Sequence, residues 1–144
     1  MQLALDAARK AAAQGEVPIG AVVVKGEEIL SVAANRTRSP PDPSGHAEIV
    51  ALREAAAKLG NERLTDCDLY VTLEPCAMCA GAISMARLGK VIFAASDEKG
   101  GAVVNGPQFF DQPTCLWKPK YEQDYEAAPQ ASELLRAFFR ERRA

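Results

Sequence analysis

"DLYVTLEPCAMCAGAISMARLGKVIFAAS", residues 68–96, decides the fold. Its first six residues, 68–73, are mostly apolar and read as a strand. Pro75 then fits the first turn of a helix, where a missing N–H costs nothing. That helix is expected to run from about Pro75 to Leu88, and "KVIFAAS" (90–96) reads as a second strand. Strand, helix and strand in this order imply two parallel strands joined by a right-handed crossover.

Working outward, residues 2–14 read as a helix with Leu3, Leu5, Ala7, Ala8, Ala11 and Ala12 on a broad apolar face, stopped by Gly15. "VPIGAVVV" (17–24) and "ILSVAAN" (29–35) form a hairpin about the turn "KGEE". Three prolines and a glycine make 36–45 a loop. A helix follows from about His46 to Leu59, and a last one covers roughly 131–141, after a poorly patterned stretch at 107–128. The expected fold class is α/β: a three-layer α/β/α sandwich with a mixed central sheet, in a single domain spanning 1–144. At 144 residues, with 48% hydrophobic and 25% charged residues, the chain has the makings of one packed core and not of a disordered or fibrous protein.

No apolar run approaches a membrane span, and the N-terminal stretch lacks the pattern of a signal peptide, so the expected setting is the cytoplasm. Four cysteines in such a chain point to free thiols or metal ligands over disulfides. A net charge of −2 gives no global pull towards nucleic acid. "LLRAFFRERRA" (134–144) is locally basic, with Arg136, Arg140, Arg142 and Arg143 against Glu141. A solvated helix end, whose cations complement the helix dipole, is the simpler reading than a phosphate-binding patch.

The chemistry lies in two short motifs. Cys76 and Cys79, three apart at a helix start, put both sulfurs on one face, where the positive end of the helix favours thiolate. His46, the only histidine, and Glu48 open the preceding helix. Two residues apart, they reach one site only if they lie in the first turn. Thiolates plus imidazole suit Zn2+, one per chain. His46, Cys76 and Cys79 make three ligands and leave a fourth position open, the pattern of a catalytic zinc. Cys67 lies at the far end of the strand, roughly 20 Å away by strand rise. Cys115, in the unpatterned stretch, is the one remaining candidate for a fourth ligand. Zinc with an open position makes bound water acidic near neutral pH, and Glu48 is placed to move its proton.

The pair His46-Ala47-Glu48 and Pro75-Cys76-Ala77-Met78-Cys79 resembles the signature of the zinc-dependent cytidine/deoxycytidylate deaminase superfamily. "GEVPIGAVVV", Asn35, "DPSGHAEIVALREAAAKLGNERL", "LYVTLEPCAMCAGAI" and "LLRAFFRERR" look like the branch of bacterial tRNA-specific adenosine deaminases. The resemblance implies hydrolytic conversion of the wobble adenosine to inosine, with Glu48 as the catalytic proton shuttle. It implies that Asn35 hydrogen-bonds the flipped base, that Ile19 and Ala47 line the pocket, and that Asp97 and Lys99 contact the flanking ribose and phosphate. It also implies the tRNA anticodon loop as partner and a homodimer. The chain departs from that branch over "TCLWKPKYEQDYEAAPQ" (114–130), which has neither histidine nor glycine and carries Glu122, Asp124 and Glu126.

Two other readings compete. If 114–130 caps the pocket, the substrate is small: guanine, cytosine, a nucleoside or another aminated heterocycle. If Cys115 closes the metal site, the chain is a non-catalytic zinc module.

Overall fold

The computed structural model describes residues 1–143. A first helix, α1 (Gln2–Ala13), leads into a hairpin of β1 (Gly20–Lys25) and β2 (Glu28–Ala34). Then follow α2 (Ala47–Leu59), β3 (Cys67–Leu73), α3 (Ala77–Met85) and β4 (Lys90–Ala95). A short 3-10 turn at Phe109–Asp111, a fifth strand β5 (Lys120–Gln123) and α4 (Ala128–Arg143) complete the described chain.

The strands form one sheet in the order β2-β1-β3-β4-β5. β1 runs antiparallel to β2 and β3, whereas β3, β4 and β5 run parallel. The sheet is therefore mixed, as expected from an early hairpin followed by βα steps. α1 and α4 share one face and α2 and α3 the other, giving three layers. The main core lies under α2 and α3, where Val23, Leu69, Val71, Ile83 and Phe93 are fully enclosed. Leu5, Ala94, Ala95 and Ala131 form a smaller cluster beneath α1 and α4.

β4 is buried along nearly its whole length, because a parallel strand between two helical layers has no wet face. β5 is the opposite case. Its "KYEQ" is almost wholly exposed on the sheet edge, and Lys90 on its neighbour pairs with Glu122 at 2.6 Å. Charged side chains blunt an open edge but carry no apolar alternation, so the sequence reading left this strand unassigned. Among the described residues no helix is long and apolar enough to cross a membrane.

Candidate active site

The parallel arrangement of β3 and β4 delivers the chain to α3 from the C-terminal edge of the sheet, where α/β folds bind their ligands. His46 is the N-cap of α2 (φ −66°, ψ 152°), and Cys76 is the N-cap of α3 (φ −76°, ψ 177°). Two helix mouths thus open on one spot. The sequence reading started α3 at Pro75. In the structure it starts two residues later, because the Pro75 carbonyl accepts the Ala102 N–H at 2.9 Å instead of serving the helix. Cys79 is the third residue of α3, and the side chain at that position folds back towards the N-cap as in a capping box.

His46 Nδ1 lies 3.6 Å from Cys76 Sγ and 3.6 Å from Cys79 Sγ. The three donor atoms all fall within 4.8 Å of one another. Zinc–nitrogen and zinc–sulfur bonds at tetrahedral angles require an N···S edge of about 3.5 Å, so the spacing and the donor set both fit that ion. Among the described residues no fourth His, Cys, Asp or Glu joins the group. The Cys76 thiol is drawn down to about 5, first by the hydrogen bond from the Cys79 thiol and also by the nearby imidazole. The same bond pushes the Cys79 thiol up. One thiolate of the pair is therefore available at neutral pH, the state that binds a metal.

Glu48, in the first turn of α2, is buried (4% exposed). Burial pushes its carboxyl up to about 7, where a carboxylate both accepts and returns a proton. Glu48 does not pair with the nearby Arg53, which meets Asp42 at 3.5 Å.

Asn35 Oδ1 accepts the Ala47 N–H at 2.8 Å, and the Asn35 N–H donates to the Ile19 carbonyl at 3.1 Å. Ile19, Asn35 and Ala47 are thus strung together beside the N-cap histidine. The first bond satisfies an orphan donor of α2 and occupies the acceptor of Asn35, so this side chain offers a ligand its Nδ2 donors. Ile19, Asp97 and Lys99 line a groove of about 440 Å3 with Leu73, Arg136 and Phe139. Asp97 Oδ1 also accepts the N–H groups of Lys99 (3.1 Å) and Gly100 (3.0 Å), which shapes the turn. Of the terminal arginines, Arg136 and Arg140 both meet Glu133, at 3.3 and 2.7 Å, so α4 neutralises part of its own charge.

Sequence reasoning missed Glu74. It is buried, and its Oε1 accepts from Asp97 N and Asn105 Nδ2 while Oε2 accepts from Val103, Val104 and Asn105 N–H. Burial raises its pKa, but these bonds outweigh that and hold it below the ordinary carboxylate range. The available signal was an acid wedged between an apolar strand and Pro75, a charge that must be compensated if buried.

The other cysteines lie elsewhere. Cys67 is fully buried at the start of β3. Cys115 Sγ donates to the Trp117 carbonyl at 3.1 Å and sits 3.5 Å from Ser84 Oγ, beside the far end of α3. Cys115 does not join the His46, Cys76 and Cys79 group, which removes the reading in which it supplies a fourth ligand. Trp117 Nε1 donates to the Leu88 carbonyl at 2.8 Å, and Lys120 pairs with Lys90 at the first residue of β4. Residues 115–120 therefore pack at the opposite end of the sheet from His46 and form no lid.

The family model described as MafB19-like deaminase matches residues 1–143. The chain is 50% identical over 143 residues to a tRNA-specific adenosine deaminase of Agrobacterium fabrum, covering 99% of this chain and 93% of that protein. It is 45% identical over 143 residues to a tRNA-specific adenosine deaminase of Aquifex aeolicus, with the same coverage of 99% and 93%. A solved structure from studies of A-to-I editing by tRNA:A34 deaminases at the wobble position superposes with a TM-score of 0.91 at 49% identity, covering 94% of this chain and 97% of that one.

Proposed function

This chain belongs to the MafB19-like deaminase family, and on that footing we propose that it is a zinc-dependent hydrolytic deaminase that converts the wobble adenosine of tRNA to inosine in the cytoplasm. The observation that carries the chemistry is the convergence of His46 Nδ1, Cys76 Sγ and Cys79 Sγ beside the buried Glu48. The substrate assignment is supported by the 50% and 45% identical relatives, both named as tRNA-specific adenosine deaminases.

His46, Cys76 and Cys79 would hold the zinc. The ion, when bound, supplies a Lewis acid that makes water nucleophilic at neutral pH. Glu48 is placed to accept a proton from the attacking water and to return it to the departing amine, which its raised pKa suits. Asn35 donates from Nδ2 to the base, and Ile19 and Ala47 wall the pocket. Asp97 and Lys99 meet the flanking ribose and phosphate along the groove that also holds Arg136 and Phe139. A base must leave its stack to reach this depth, and a loop nucleotide does so at little cost. An apolar groove between α2 and α3, with Ile49, Leu52, Ala82 and the 82% exposed Met85, supports a homodimer.

The test offers the protein an anticodon stem-loop with a wobble adenosine, alongside free adenine, guanine, cytosine and their nucleosides. Inosine in the hairpin is the expected product. Ammonia from a free base with an unaltered hairpin would overturn the substrate assignment in favour of a small-molecule deaminase.

A further inference from the structure

We propose that Glu74 is a positioning residue for substrate: its carboxylate locks the loop 97–105 onto the helix that carries Cys76 and Cys79, and so fixes where Asp97 and Lys99 meet the strand flanking the reacting base. This builds on the proposed RNA deamination.

Glu74 stands two residues before Cys76, so any movement of its backbone is a movement of the metal-binding turn. From there it reaches across to a loop 23 to 31 residues later. Asp97 N–H reaches Oε1 at 3.0 Å, and the N–H groups of Val103, Val104 and Asn105 converge on Oε2 at 3.0, 2.9 and 3.1 Å. Asn105 Nδ2 adds a fifth bond, to Oε1 at 2.7 Å. Three successive backbone N–H groups aimed at one oxygen form an anion nest, here filled by the chain's own carboxylate.

The arrangement passes on to the substrate-facing residues. Asp97 is held by its N–H on Glu74, and its own carboxylate in turn holds the N–H groups of Lys99 and Gly100. Gly101 closes the loop over the nest: a Cβ there would lie 2.5 Å from Glu74 Cδ and 2.5 Å from the Asp97 carbonyl. The loop leaves no room for a side chain at that position, and its neighbour Ala102 is pinned to the Pro75 carbonyl. Glu74 takes Asp97 at the start and Asn105 at the end, and the exposed Lys99 lies between them.

The decisive substitution is Glu74→Gln, which keeps shape but turns one acceptor oxygen into a donor facing N–H groups. The zinc-loaded variant is compared with wild type on the wobble-adenosine hairpin, with zinc content measured in both. We expect full zinc, a kcat little changed, and a KM raised about 10- to 100-fold, the scale of a misplaced substrate contact. Lys99→Ala should weaken binding in wild type but add nothing in the Glu74→Gln background, because the loop is already released. Amide hydrogen exchange at Asp97, Val103, Val104 and Asn105 should accelerate in the variant. Asn105→Ala, which removes one bond without touching the metal turn, should shift KM in the same direction by less, and it stands in if Glu74→Gln does not fold. An unchanged KM, or effects of Glu74→Gln and Lys99→Ala that simply multiply, would overturn the proposal. If wild type leaves the hairpin unaltered, the RNA assignment fails. The exchange measurement then decides the loop-locking claim by itself: unchanged rates at those four amides sink it.

Discussion

Gly45 precedes His46, the proposed metal ligand, and the structure gives a reason that flexibility does not. Its φ is not positive, so the backbone conformation suits any residue. What excludes a side chain is space. A methyl added at Gly45 would run into the Arg36 carbonyl oxygen, with Arg36 C at 2.9 Å and Asp42 O at 3.2 Å. The obstacle is backbone, and it is tied in place, because Arg36 N–H donates to the Gly45 carbonyl at 2.7 Å. Gly45→Ala must part these two segments. Overpacking of this kind costs about 3 kcal/mol when no flexible side chain can yield. Against an unfolding entropy of about 0.3 kcal/mol/K for 144 residues, Tm falls by about 10 °C. The displacement also reaches His46, the next residue, so zinc affinity should fall together with stability. Differential scanning calorimetry with and without a chelator, together with zinc titration, measures both effects. A variant that melts within 2 °C of wild type and holds zinc equally well would refute the close-approach explanation.

Other expectations follow from the same geometry. His46→Ala and Cys76→Ser should each abolish stoichiometric zinc in elemental analysis, whereas Cys115→Ser should retain it, because Cys115 bonds the Trp117 carbonyl away from the site. Trp117→Ala loses the Leu88 hydrogen bond and the Arg87 guanidinium 5.6 Å from its ring centroid. It should lower unfolding free energy by about 2 kcal/mol in denaturant titrations while leaving KM within twofold. A large KM change there would contradict the placement of Trp117 away from the site. Glu74 has a depressed pKa in the folded state, so its stabilisation is present above the ordinary carboxylate range and lost as pH falls through the lower folded value. The stability gap between wild type and Glu74→Gln should therefore shrink from pH 7 to pH 3 in denaturant titrations, and a constant gap would contradict the hydrogen-bond network.

The sheet and its layers were legible because apolar periodicity is local: "VPIGAVVV", "DLYVTL" and "KVIFAAS" each announce a strand that the structure contains. Boundaries moved where tertiary bonds intervened. β1 begins at Gly20 and not Val17, and α3 begins after Pro75 because Ala102 claims its carbonyl. β5 stayed hidden because an exposed edge strand needs no apolar alternation. Two ligand motifs 30 residues apart could be joined in advance because zinc has few tolerated donor sets. Glu74 could not, because four of its five donors are backbone N–H groups, which every residue but proline carries and no residue pattern marks. The departing segment 114–130 was read as a possible lid from its composition. Its place is set by Trp117 and by pairing with β4, both long-range contacts.

In the proposed reaction Glu48 moves protons for deamination of a wobble adenosine at the His46, Cys76 and Cys79 site. The most direct measurement is inosine formation in the anticodon hairpin by zinc-loaded wild type and zinc-loaded Glu48→Gln, read as adenosine-to-guanosine changes after reverse transcription. Wild type should convert the wobble adenosine, and Glu48→Gln, with zinc intact, should lose about 100-fold or more in rate. Conversion by the variant at the wild-type rate would contradict the account.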